Sequence, residues 1–139
     1  MIKYFYIFRT GKTDFVIKLC KNADYMMTQS PDKIIYCYSV MQDKLQQLAK
    51  KNPKVELHEG FSSDLYLDHD SSIHSFLIID DLMSQDIYCE LADLFTKYSR
   101  HHNISVAFLT QNVYNKSAPS AAKCNRTILI NSTEVVFFR

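Results

Sequence analysis

Glycine is the residue this chain is poorest in relative to expectation. Only Gly11 and Gly60 occur in 139 residues, where average usage of about 7% would give roughly ten. A full glycine-rich loop, which bends closely round a phosphate, therefore has no complete sequence to form from. Tryptophan is absent and proline occurs three times. The net charge of +1 excludes nucleic-acid binding by bulk charge, so any such contact has to come from a local patch. No apolar run reaches the roughly 18 residues of a membrane-spanning helix. The amino terminus lacks a small-residue cleavage site behind an apolar core. The four cysteines, Cys20, Cys37, Cys89 and Cys124, contain no C-x-x-C pair and no zinc-ligand spacing with histidine. They are expected to be reduced thiols of an intracellular protein.

What the chain does have is core material. Hydrophobic residues make up 47% and aromatic residues 13%, in a length typical of one domain. Ile2 to Phe8 is a β-rich apolar run. From Thr13 to about Met27 the apolar residues Phe15, Val16, Leu19, Cys20 and Ala23 recur at helical spacing. Lys33 to Tyr38 reads as a second strand, and Val40 to Lys51 as a helix with Met41, Leu45 and Leu48 inward. Val55 to His58 is a short strand, and Gly60 to Ser72 an acidic surface loop. Phe76 to Ile79 and Ile104 to Leu109 are buried strands that flank an amphipathic helix, Ser84 to Tyr98. Asn112 to Asn125 reads as a polar connection. Thr127 to Ile130 and Glu134 to Phe138 read as two final strands turning at Asn131-Ser132-Thr133, a C-terminal β-hairpin. Strands alternating with helices predict an α/β fold of three layers, a mainly parallel sheet with helices on both faces.

Three strand ends carry the chemistry. Gly11-Lys12-Thr13 lies between a strand and a helix, the context in which G-K-[ST] ends a phosphate-binding loop. The helix start offers free N–H groups to a phosphate, Lys12 would reach the β- and γ-phosphates, and the Thr13 hydroxyl would hold Mg²⁺. The full motif wants a glycine where Tyr6 stands. A chance tripeptide at a helix start, with Thr13 as its cap, is the other reading of this segment. In Phe76-Leu77-Ile78-Ile79-Asp80-Asp81, four apolar residues end in two acids at the carboxyl edge of a buried strand, where ligand sites of open α/β sheets lie. Asp80 would hold Mg²⁺ through its water shell, and Asp81 would orient or deprotonate a water. Two acids in a plain turn are the alternative. Thr110-Gln111-Asn112 ends another buried strand, with Gln111 a candidate reader of a γ-phosphate; alone, it also fits a simple strand exit. Arg100, in Lys97-Tyr98-Ser99-Arg100-His101-His102, suits a helix carboxyl end. It is also a candidate arginine finger for a neighbouring subunit.

Pro31-Asp32-Lys33-Ile34-Ile35-Tyr36-Cys37-Tyr38, Leu77-Ile78-Ile79-Asp80-Asp81-Leu82-Met83, and the run from Asp93 through Ile104-Ser105-Val106 to Thr110-Gln111-Asn112 resemble the genome-packaging ATPases of Polinton/Maverick elements and adintovirus-like viruses. Those are relatives of the poxvirus packaging ATPase in the FtsK–HerA division of P-loop ATPases. The resemblance covers nearly the whole chain and implies a P-loop NTPase-like domain over residues 1–139 that uses ATP and Mg²⁺. It implies a ring-forming homo-oligomer that drives double-stranded DNA into a capsid. Double-stranded DNA and capsid proteins would be its partners, no membrane would be involved, and it would reside in the virion or nucleus. It assigns Lys12 and Thr13, with Gly11, to Walker A, Asp80 and Asp81 to Walker B, and Gln111 to the sensor. It also implies that the sensor strand lies between the P-loop and Walker B strands. Where such proteins have a glycine- and serine-rich loop, this chain has Tyr6 to Thr10, and it begins at the first strand and stops at Arg139. The expectation is a copy shortened at both ends with a degraded Walker A loop, or a non-catalytic remnant or binding module that keeps the fold. Binding of DNA by a monomer is expected to be weak, with Lys116, Lys123 and Arg126 as candidate contacts.

Overall fold

The computed structural model describes residues 4–8, 11–82, 87–111 and 119–137. Among them, one sheet contains six strands: β1 (Tyr4–Phe8), β2 (Lys33–Tyr38), β3 (Val55–Glu59), β4 (Ser75–Asp80), β5 (Ile104–Thr110) and β6 (Glu134–Phe137). The helices are α1 (Lys12–Lys21), α2 (Ala23–Met26), α3 (Asp43–Lys51), α4 (Asp64–Leu67), α5 (Ile87–Asp93), α6 (Ser99–His101) and α7 (Pro119–Asn131). A π-helical turn, Leu94–Tyr98, joins α5 to α6. The strand order is β3-β2-β4-β5-β1-β6, and each neighbouring pair is parallel.

The alternation of a strand's side chains sorts the core into two layers. Ile34, Tyr36, Phe76, Ile78, Ala107 and Leu109 face one way and meet Val16, Leu19 and Cys20 of α1 and Leu45 and Leu48 of α3. Ile35, Cys37, Leu77, Ile79, Val106 and Phe108 face the other way, onto Tyr88 and Leu91 of α5, Phe95, and Ala121 and Ile128 of α7. β4 and β5 are buried along their whole length, as central strands of a parallel sheet covered on both faces must be. The three-layer α/β arrangement is therefore as the sequence indicates, and the sheet is parallel throughout its described pairs.

The C-terminal hairpin is corrected. Thr127 to Ile130 is the last turn of α7, and β6 lies parallel to β1. A four-residue apolar run has no period of its own; here it continues the spacing Ala121, Asn125, Ile128, the three buried positions of α7. Pro119 suits a helix start. Asn131 Nδ2 donates to Thr127 O (2.8 Å) and Ser132 Oγ to Ile128 O (2.8 Å), satisfying carbonyls at the helix end. The polar connection is likewise helical from Pro119 onward. Met41, expected inward, is exposed, because α3 starts only at Asp43. The cysteine reading is right for Cys20 and Cys37, free thiols that burial pushes up to about 12. It is wrong for Cys89 and Cys124, which are disulfide-bonded because α5 and α7 share one sheet face. The cysteines thus no longer argue for a reducing compartment.

The amino edge of the sheet is tied by His74. Its backbone N–H donates to Asp32 Oδ2 (2.9 Å), and its ring sits 2.8 Å from Ser105 Oγ and 3.4 Å from Ser30 O. A carbonyl only accepts, so Nδ1 carries the proton and Nε2 accepts from the Ser105 hydroxyl. Burial, the largest cause, lowers the His74 pKa; the same cause lowers that of His69. The unfolded chain therefore takes up the proton first as pH falls. Stability should be complete above about pH 6.5 and decline below it, by at most about 1.4 kcal/mol per pH unit for each histidine. Urea unfolding at neutral pH and at about pH 5.5 checks this, with His74→Gln flattening the slope; an unchanged midpoint in the natural chain would contradict it.

Candidate active site

Parallel strands bring all their carboxyl ends to one edge. There the amino end of α1 meets the ends of β4 and β5. Gly11 has φ 91°, a left-handed conformation that glycine adopts without strain. Its carbonyl accepts the first helical bond, from Phe15 N–H (3.0 Å). Thr13 Oγ1 donates to Asp80 Oδ2 (3.0 Å). Lys12, 6% exposed, places Nζ 3.9 Å from Asp81 Oδ2. Gln111 Nε2 donates to the same Asp81 oxygen (2.8 Å). Lys12, Thr13, Asp80, Asp81 and Gln111, with Tyr38, Ser39, Val40 and Gln42 from the β2–α3 connection, line a cleft of about 150 Å³.

Asp80 is 6% exposed, and a second hydroxyl reaches it: Tyr36 donates to Oδ2 at 2.7 Å. Burial first, and then the Asp80 charge, push the Tyr36 phenol far above its ordinary range, which keeps it a donor. Asp81 leaves the sheet at φ 54°, a region that aspartate tolerates better than most side chains. Its N–H donates to Leu109 O (3.1 Å), and its buried Oδ1 accepts nothing from the described residues. That oxygen is a buried carboxylate acceptor of a residue that lines the cleft. The donor set is hard: two carboxylates and a hydroxyl, beside an ammonium. Among the described residues no three His, Cys, Asp or Glu side chains converge as a metal cage. Such a set fits Mg²⁺, which is commonly bound through one or two carboxylates plus substrate phosphates.

Two placements bear on the sequence reading. Tyr6, at the position where the phosphate loop wants its first glycine, is in β1, paired with Phe108 of β5 and Val135 of β6. Only residues 9 and 10, outside the described residues, separate β1 from Gly11. Arg100 is exposed on α6, just before β5, at the amino edge; the fold does not bring it to its own chain's cleft. Tyr36 and the β2–α3 residues were not singled out by sequence. A tyrosine in an otherwise apolar buried strand is the available signal, since its hydroxyl needs a partner. A larger cleft, about 340 Å³, lies beside β3 and α4 among Lys33, Glu56, His58 and Asp64. There Lys33 pairs with Glu56 at 3.0 Å.

The strand order puts β5, which ends at Gln111, between β1 and β4. With helices on both faces and a lysine–threonine helix start against paired strand-end carboxylates, this is a P-loop NTPase-like fold. The model of the Poxvirus A32 protein family matches residues 2–135, and the chain belongs to that family. A comparison with individually curated proteins finds no match.

Backbone strain at Asp81 sets a test of the site's stability. A β-branched residue resists φ 54°, and glycine accepts it. Asp81→Val is expected to be about 1–3 kcal/mol less stable than Asp81→Gly, measured by urea unfolding of both. Equal stabilities would show that the turn relaxes.

Proposed function

We propose that this chain is the ATP-binding and hydrolysing domain of a viral-type DNA-packaging motor, with a degraded Walker A loop and slow turnover. The observation that carries the reading is the convergence of Thr13 on Asp80 and of Lys12 and Gln111 on Asp81 in one cleft. Membership of the Poxvirus A32 protein family supports the packaging role. The finer placement, with Polinton/Maverick and adintovirus-like ATPases of the FtsK–HerA division, rests on the sequence resemblance.

Each residue has a chemical task. The α1 amino end and Lys12 bind the phosphates. Thr13 and Asp80 would hold Mg²⁺, which when bound neutralises charge on the β- and γ-phosphates. Asp81 orients or deprotonates the attacking water, and Gln111 holds its Oδ2 in the cleft. Gln111 also offers its amide to the γ-phosphate or that water. Arg100 acts only in trans, from a neighbouring subunit of a homo-oligomeric ring. Double-stranded DNA is the substrate of the motor and capsid proteins its docking partners, in the virion or nucleus. No helix among the described residues is long and apolar enough to cross a membrane. Lys123 and Arg126 are exposed on α7, three residues apart and so on one helix face. With Lys116, outside the described residues, they are the proposed DNA contact.

A specific feature favours the second reading, a remnant that keeps the fold and binds nucleotide without turnover. β1 runs through Tyr6 to Phe8, where the wide phosphate turn would otherwise begin. Both readings give weak ATP binding, with a Kd above about 10 µM, and turnover below about 1 s⁻¹, the low end of ordinary enzymes. Calorimetry with ATP and Mg²⁺, and phosphate release, measure the two. Asp80→Ala is expected to remove any turnover. Tight binding with brisk hydrolysis would contradict the degraded loop, and no ATP binding would overturn the nucleotide-site reading. The DNA contact is checked separately. Lys116→Ala/Lys123→Ala/Arg126→Ala should lower the salt slope of DNA binding by up to about 3, and an unchanged slope would exclude that surface.

A further inference from the structure

We propose that Tyr36 is a positioning residue for Asp80: its hydroxyl fixes the carboxylate in the orientation in which it receives a divalent cation. The inference rests on the nucleotide-site reading above and concerns a residue that reading does not use. In the β2–β4 register Tyr36 stands opposite Ile78, and Tyr38 opposite Asp80. Tyr36 is therefore two residues back along the neighbouring strand. By alternation it shares the α1 face of the sheet with Ile78 and Asp80. Its hydroxyl meets Asp80 Oδ2 at 2.7 Å, and Thr13 Oγ1 meets the same oxygen at 3.0 Å.

The two hydroxyls differ in what they are free to do. Thr13 is partly exposed at a helix start, and in its proposed role its oxygen lone pair would face the cation while its O–H goes on donating to Asp80. Tyr36 is 0% exposed, packed in the core against β4 and α1, so its ring is fixed by its surroundings. Of the two donors on Oδ2, the phenol is therefore the one held rigidly by packing. It keeps the carboxylate in its rotamer whatever the exposed hydroxyl does. Without the phenol, Asp80 would be held only by the partly exposed Thr13 hydroxyl. Outer-shell partners of metal-binding groups typically contribute about 10–100-fold in metal affinity.

Tyr36→Phe removes one oxygen and keeps the ring volume, so the variant is expected to fold. Two readouts separate positioning from packing. The first is the Mg²⁺ concentration that half-saturates binding of a fluorescent ATP analogue, expected to rise about tenfold, while binding of the analogue in EDTA stays unchanged. The second is Mn²⁺ binding followed by electron paramagnetic resonance in the presence of ADP, with the same loss expected. Ile34→Val, in the same buried strand, is the packing control; it should lower the unfolding midpoint without moving the Mg²⁺ requirement. The proposal is overturned if Tyr36→Phe has the Mg²⁺ requirement of the natural chain, or if it weakens binding equally with and without the metal. If the natural chain itself shows no Mg²⁺-dependent nucleotide binding and no Mn²⁺ uptake, the nucleotide-site reading fails and this inference falls with it.

Discussion

A carboxylate buried at a strand end has to be satisfied by groups the fold brings to it. Asp80, 6% exposed, receives two hydroxyls on one oxygen, from Thr13 of α1 and Tyr36 of β2. Leaving such a group unpaired would cost several kcal/mol, comparable with the whole stability of a small domain. The requirement ties together three elements distant in sequence. α1 must begin beside the end of β4, although β1, which leads into it, is separated from β4 by β5. β2 must flank β4 with Tyr36 on the α1 face. The sheet order and the crossing of α1 are thus the geometry under which Asp80 is tolerated.

The same edge shows a conflict between sheet and loop. A phosphate-binding turn needs residues released from pairing, yet β1 stays paired with both neighbours up to Phe8. Ile7 stands opposite Leu109 and Phe8 opposite Thr110, so the segment that would bend round a phosphate completes the sheet instead. Thr13 and Asp80, proposed to hold the metal, and Asp81 and Gln111, proposed to act on water and phosphate, converge in one cleft. The side proposed to face phosphate has the α1 amino end and Lys12, without glycines before Gly11.

Much of this was legible in the sequence, for identifiable reasons. Phe76 to Asp81 is a continuous apolar run closed by two acids, a pattern that fixes a buried strand and places its carboxylates at the sheet's carboxyl edge. Gly11-Lys12-Thr13 marks its helix start directly. The β5 position between β1 and β4 followed from the resemblance, since strand order is not written in local periodicity. Thr127 to Ile130 was misread because a short apolar run suits a strand or the end of a helix equally, and only its packing on α5 decides. The Cys89–Cys124 bond was invisible for the same reason: it depends on two helices meeting. Tyr36 lies in a run, Lys33 to Tyr38, whose pattern shows a strand and nothing more, although its hydroxyl meets the site's most buried acid.

The central claim is that the cleft lined by Lys12, Thr13, Asp80, Asp81 and Gln111 is where a nucleotide binds. Amide chemical-shift mapping of the natural chain with ATP and Mg²⁺ tests it most directly. The account predicts the largest shifts at Gly11 to Asp14, Asp80, Asp81 and Gln111, together on one edge of the sheet. Shifts centred instead on the cleft beside β3, around Glu56, His58 and Asp64, or no shifts at saturating ATP, would contradict it.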